Sequence, residues 1–320
     1  MSTYETDLIG LEIDNVLGFL ALLGLLRSIE QSRPDWFPRA YFRGSPLRST
    51  LILSSDPSKK DIAEAASEGC TWYASFFSFR EYHDLTFSSD AARELLESAL
   101  DREPATQILS ALFSDGAAKN TDGRIIPTPL CAMFGQGHQS FLDRLSNVAL
   151  GTLPRDLRKK KNPPDLNDPS AIFRALFAPW TRSDSTESFR WDHQEDRRYA
   201  LRNINPSSDP ATTEHGANRL AILGVLSFQS APQVAGISGS TSLGTRGFSR
   251  GPNRRQRLTW PIWNSPATLL AIEAMLDRPE LSANQPDFTT LKQLTVRQLF
   301  RAPRIVNGKF INFGRAEALT

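Results

Sequence analysis

The chain has 320 residues, 40% of them hydrophobic and 22% charged, an ordinary composition for a folded protein with a large core and a length that suggests about two domains. Cys70 and Cys131 are its only cysteines and lie far apart, which excludes a cysteine-built metal site and points to a reducing, cytoplasmic setting. The net charge of +2 hides an asymmetry: residues 1–214 carry 24 Lys and Arg against 30 Asp and Glu, and residues 215–320 carry 13 against 5, so positive potential in the second part can attract a phosphate backbone or an acidic protein neighbour.

In chain order, Leu8–Ile13 reads as a short strand. The run "VLGFLALLGLL" (Val16–Leu26) has eleven residues, too few for the roughly 20 that span a bilayer. Glu5, Asp7, Glu12 and Asp14 precede it, the wrong charge for a secretion signal. It predicts a buried helix reaching about Glu30, with no membrane partner. Gly18 and Gly24 weaken such a helix unless another backbone packs closely against them. Residues around Leu51–Leu53 are strand-like. Helical periodicity returns at Asp61–Glu68 and at Ser89–Leu100, with Ala92, Leu95, Leu96 and Ala99 on one face and Ser89 or Asp90 as cap; it returns again at Thr106–Phe113.

Ser114–Pro129 is turn-rich and leads to an apolar segment that breaks at Gly135 and Gly137 before a helix near Gln139. Gly135, Gly137 and His138 then stand at a helix N-terminus, where N–H groups can hold an anion. A tight turn has the same appearance, and neither a P-loop lysine nor a third glycine of a dinucleotide motif follows. Leu153–Ser170 is the linker candidate, because Pro154, Pro163, Pro164 and Pro169 oppose regular structure. Its cluster of Arg155, Arg158, Lys159, Lys160 and Lys161 is either a solvated loop or an arm that orders on a phosphate backbone.

"FRWDHQEDRRYALRNINP" (189–206) concentrates charge. Asp192 and Glu195 have capping-box spacing, and Asp196 and Arg202 follow Asp192 and Arg198 by one turn each. Three readings are open: charge pairing within the fold, ligand contact by Arg197, Arg198 or Arg202, and carboxylate chemistry, for which no nearby His-x-His completes a metal site. Further on, no acid occurs between Glu214 and Glu273, and residues 246–257 hold five arginines: Arg246, Arg250, Arg254, Arg255 and Arg257. Phe248, Trp260 and Trp263 supply aromatic faces beside them. Basic and aromatic groups together suit a single-stranded or RNA-duplex ligand; a surface loop beside a core tryptophan pair is the alternative.

The stretches "LIGLEIDNVLGFLALLGLLRSIEQ", "FGQGHQSFL", "FRWDHQEDRRYALRNINPSSDP", "HGANRLAILGVLSF" and "TWPIWNSP" resemble, in order, the subtype-specific proteins of type I-G (formerly I-U) CRISPR systems, nearest to their large-subunit and accessory families. The chain is shorter than a full-length large subunit, so the resemblance implies an accessory or a reduced relative. No Walker lysine loop, HD pair or cluster of metal carboxylates is visible.

The expected fold is α+β, with mixed helices and short sheets in two lobes, 1–152 and 171–320, joined by the basic Pro-rich segment 153–170. The expected function is that of a non-catalytic subunit of a Cascade-like RNA-guided complex in antiviral defence, in which base pairing reads most of the sequence. It would contact guide RNA and/or target DNA and other CRISPR effector subunits without cofactor or metal. Candidate nucleic-acid contacts are Arg158, Lys159, Lys160, Lys161, Arg197, Arg198, Arg202, Arg246, Arg250, Arg254, Arg255, Arg257 and Trp260. The alternatives are a metal-dependent nuclease built on Asp192, Glu195 and Asp196, and a pure protein–protein adaptor of a defence complex.

Overall fold

The structure, a computed structural model, describes residues 3–79, 81–119, 121–132, 140–153, 169–195, 212–235, 240–251, 255–307 and 310–320. Its helices and small antiparallel sheets form an α+β fold. Strand β1 (Tyr4–Asp7) is followed by helix α1 (Val16–Ser32) and the hairpin of β2 (Arg39–Arg43) and β3 (Arg48–Leu53). The strand order in this first sheet is β1-β3-β2. Helices α2 (Lys59–Ala74), α3 (Ser89–Glu97), α4 (Glu103–Leu112), α5 (Phe141–Ala149), α6 (Pro169–Phe177) and α7 (His215–Val225) come next. The rest is mostly sheet. β4 (Ser230–Ala235) and β5 (Ser240–Thr245) make a two-stranded ribbon. β6 (Phe248–Arg250), β7 (Gln256–Trp263), β8 (Val296–Asn307) and β10 (Glu317–Leu319) form a sheet in the order β10-β8-β7-β6, with β9 (Phe310–Phe313) paired to the far end of β8. Short helices α8 (Leu269–Leu276), α9 (Pro279–Ser282) and α10 (Phe288–Gln293) lie between β7 and β8 in the chain.

The core is built around α1. Asn15 caps it, its side chain accepting from the Leu17 amide at 3.0 Å, and every residue from Val16 to Ile29 is buried. A helix that is apolar all round belongs inside a protein. Helix α7, buried along its whole length, crosses α1 at two glycines. A Cβ on Gly24 would stand 1.8 Å from the Leu220 carbonyl oxygen, and one on Gly224 would stand 2.0 Å from that of Leu20. The close backbone packing expected at both glycines of α1 is present: Gly24 meets α7, and Gly18 meets the preceding loop, where a Cβ would stand 2.2 Å from the Glu12 carbonyl oxygen.

The C-terminal sheet closes over the other end of α1. Trp260 stacks on Phe19, ring centroids 5.5 Å apart, and donates its indole N–H to the Ile13 carbonyl at 3.2 Å. Trp263 donates to the Ala40 carbonyl at 2.7 Å, beside a bridge between Ala40 and Ala267 that ties β2 to the loop after β7. Residues on both sides of the segment 153–170, from Leu8 to Ala316, contribute to one apolar cluster. Residues 154–168 lie outside the described residues. Among the described residues no helix is long and apolar enough to cross a membrane.

Several boundaries differ from the sequence expectation. The first strand is Tyr4–Asp7, not Leu8–Ile13. Leu8 and Leu11 are buried, but the chain turns against α6, where the Gly10 amide donates to the Leu176 carbonyl at 3.0 Å rather than to a sheet neighbour. Helix α2 extends beyond Asp61–Glu68 at both ends, and its earlier start is set by the reciprocal capping box of Ser58 and Asp61. Ser88, not Ser89 or Asp90, caps α3. The helix expected near Gln139 is described from Phe141.

Candidate nucleic-acid interface

The acid-free stretch after Glu214 is not one surface. Its first part is the buried helix α7; the two hairpins that follow reach solvent, as do Pro266, Thr268, Leu270 and Ala271 beyond β7. Among the described residues only the hairpins carry its exposed arginines. In the β4–β5 ribbon Gln233 pairs with Ser242 and Ala231 with Gly244. On the opposite side β5 faces the body of the protein, with Leu243 buried and the Thr241 hydroxyl donating to the Ala118 carbonyl at 3.3 Å, while their β4 partners Pro232 and Val234 are exposed. Arg246 and Gly247 then turn the chain into β6, with Gly247 at φ +72°, a conformation that favours glycine. In the second hairpin Arg250 pairs with Gln256 and Ser249 with Arg257.

The candidate arginines separate into two groups. Arg246 is tied inward, its Nε donating to Asp277 at 2.7 Å and its Nη1 to the Ser227 carbonyl at 2.9 Å. Glu273, 3.8 Å from Arg246, also accepts from Arg27 at 2.6 Å. Arg257 donates to Ser249 Oγ at 3.0 Å, to Asn284 Oδ1 at 2.5 Å and to the Ser282 carbonyl at 3.4 Å. Beside it, Arg301 reaches the carbonyls of Leu281 and Ala283; burial, and then the neighbouring Arg257, hold its guanidinium below its ordinary pKa. These two arginines fasten the end of α9. Arg250 and Arg255, by contrast, are exposed, and neither has an ion-pair partner among the described residues.

Trp260 is no ligand contact: it is fully buried, placed there because β7 turns this position toward α1. Arg158, Lys159, Lys160, Lys161, Arg197, Arg198, Arg202 and Arg254 lie outside the described residues, as do Gly135, Gly137 and His138 of the proposed anion-binding turn.

Between the two hairpins runs a groove of 260 Å³, its walls including Pro129, Gln233, Ser242, Phe248, Arg250 and Gln256, with no acid among the described residues that line it. Pro129 is held from behind by Arg304, whose Nε donates to its carbonyl at 2.8 Å. A larger cleft of 390 Å³ adjoins it, sharing Gln233, Gly244, Thr245 and Phe248, and contains Arg246, Asp277 and Arg278, so its charge is internally compensated. The acid-free groove, flanked by Arg250 and the nearby Arg255, is the surface best suited to a polyanion.

The opening of the 189–206 stretch is a scaffold. Asp192 is buried; its Oδ2 accepts from Arg182 Nε at 2.6 Å and its Oδ1 from Asn15 Nδ2 and the Gln194 amide, both at 2.9 Å. Arg182, at φ +51°, also grips Glu12 at 2.7 and 2.8 Å, locking this segment to the loop before α1. The expected capping box is not formed. Asp192 accepts from Gln194 rather than Glu195, and Glu195 turns inward to receive the hydroxyls of Ser188 and Thr213. Burial pushes the Glu195 carboxyl up to about 7, with those hydroxyls pulling the other way. Among the described residues no group of three or more His, Cys, Asp or Glu is arranged to hold a metal ion; Asp196 lies outside them.

Sequence reasoning missed Arg182, Asn15 and Glu12, and no local signal marks them, since Arg182 and Glu12 are separated by 170 positions. It also missed Gln233 and Ser242, although the alternation in "STSLGT" hinted at a strand with one polar face. Set against known proteins, the chain matches no protein-family model and no curated protein.

Proposed function

We propose that this chain is a non-catalytic subunit of a type I CRISPR RNA-guided DNA-surveillance complex, acting in the cytoplasm. It contacts a nucleic-acid backbone, guide RNA or target DNA, at the outer end of β6–β7, and neighbouring subunits elsewhere. The observation that carries the proposal is the exposure of Arg250 and Arg255 beside an acid-free groove, because unneutralised guanidinium groups on an open edge are what a phosphate path requires. The resemblance of the sequence supplies the setting. The non-catalytic part is supported by Asp192, whose oxygens already receive Arg182, Asn15 and a backbone amide.

The test is Arg250→Ala/Arg255→Ala in the complex assembled around its guide RNA. Binding should weaken for all sequences alike, and the salt slope should fall by about 1.4–1.8, from about 0.7–0.9 for each lost phosphate contact. If the variant drops out of the complex while binding by the remaining assembly keeps its slope, the hairpin docks protein, and the adaptor reading replaces this one.

A further inference from the structure

The geometry points to a seat for one unpaired nucleotide of a single strand in the groove between β5 and β6, a proposal that rests on the nucleic-acid reading of the same face. Phe248 supplies the first reason. It forms part of the groove wall and is held from behind by Phe228 and Phe313, with ring centroids 6.3 and 6.2 Å away. A ring fixed in this way offers a stacking platform that any base can use.

The second reason is a pair of amides. Gln233 and Gln256 line the groove from different strands, and neither side chain has a hydrogen-bond partner among the described residues. Gln233 lies across Gly244, its Nε2 only 2.2 Å from where a Cβ would stand; glycine leaves room for that amide to lie flat on the ribbon. An amide offers a donor and an acceptor together, the pattern that bonds a base edge, and the pairing edge of a base is free only in a single strand. Arg250, in the same wall, stands where the phosphate of that nucleotide would pass.

Size favours a single base. At 260 Å³ the groove falls below the roughly 300–1,000 Å³ of pockets that enclose drug-sized molecules. An added peptide strand is the competing occupant, because β5 and β6 are each the last strand of their sheets. An acid-free wall containing arginine favours the polyanion.

The test mixes the full chain with a short single-stranded oligonucleotide carrying one 2-aminopurine, and with the same sequence as a duplex. The fluorescence should change on binding the single strand and not the duplex. Gln233→Ala/Gln256→Ala should abolish that signal and weaken single-strand binding about tenfold, leaving duplex binding unchanged. Phe248→Leu should act in the same direction, since stacking contributes on this scale. Phe248 also packs on its neighbours, so the glutamine pair carries the test if that variant unfolds. Should Arg250→Ala/Arg255→Ala weaken both ligands while the glutamine pair changes nothing, the nucleotide seat is wrong and the backbone contact stands. If neither double variant alters binding, both fall. Protection of β5 and β6 amides from hydrogen exchange by an extended peptide, and not by the oligonucleotide, would make the groove a strand-docking edge and overturn the seat.

Discussion

Gly24→Ala probes the packing that organises the fold. In a solvent-facing helix the change should stabilise by about 0.8–1.0 kcal/mol, since alanine is the better helix former. In α1 the new methyl would stand 1.8 Å from the Leu220 carbonyl oxygen and 2.6 Å from its carbon. Both neighbours are backbone of a buried helix, so no rotamer change relieves the clash. To reach an ordinary contact of 3.4 Å, α1 and α7 have to separate locally by about 1.6 Å, loosening side chains along the whole crossing. Overpacking a core costs about 1–3 kcal/mol, occasionally more. A clash with unyielding backbone sits at the top of that range, so with the propensity gain of about 1 kcal/mol subtracted the net loss should be about 2 kcal/mol, read as a lower urea midpoint at unchanged slope. Gly224→Ala should behave alike, and the double variant should cost less than the sum of the two, because one separation accommodates both methyls. A neutral or stabilised Gly24→Ala, or strict additivity of the pair, would refute a glycine-to-glycine crossing.

The remaining expectations concern charge. Burial lifts the Glu195 carboxyl to about 7 from an ordinary 4.5, so the folded protein holds a proton that the unfolded chain releases. That stabilisation is complete below about pH 4.5 and is lost as pH rises through about 7, a change of about 3 kcal/mol. Glu195→Gln should flatten the dependence and exceed the parent above neutrality in melts across this range; an unchanged profile would refute the burial. Arg257→Ala should lower stability by about 1–2 kcal/mol through its lost bonds to Ser249, Ser282 and Asn284, without changing the salt slope of nucleic-acid binding. A flattened slope in that variant would return Arg257 to the interface. The purified chain should show no Mg²⁺- or Mn²⁺-dependent cleavage of DNA or RNA, single- or double-stranded. Cleavage that disappears in Asp192→Asn would instead establish the nuclease alternative.

What the sequence disclosed tracks how local the determining forces are. Helix α1 was legible because Val16–Leu26 is an unbroken apolar run, and because two glycines inside a helix call for a neighbouring backbone. The strand at Leu8–Ile13 was misplaced because its apolar residues serve a buried turn against α6, a contact with residues more than 160 positions away. The Asp192–Glu195 spacing was read as a local cap, but both carboxylates are claimed from afar, by Arg182 and Asn15 and by Thr213. Charge counting marks 246–257 as basic and cannot say which of its arginines are bound internally. Arg246 meets Glu273 and Asp277 only because α8 folds back beside the turn into β6.

The division of roles within 246–260 follows from the two-residue period of a strand. Along one face of the β6–β7 hairpin stand Phe248, Arg250, Gln256 and Leu258, and the same face continues to Trp260. Leu258 and Trp260 are fully buried while Gln256 is not, so the core ends between 258 and 256 and one face passes from interior to groove. The aromatic ring presented to the groove is therefore Phe248, although Trp260 is the larger and the more conspicuous in the sequence. Arg257 projects from the opposite face, where the end of α9 waits. A slip of one residue in the pairing of β7 would exchange these faces, aim Arg257 into the groove and bury Gln256 beneath α9. The sorting of arginines into fasteners and free cations is thus set by register, and register is set by Leu258, Trp260 and Ile262, which must face inward together.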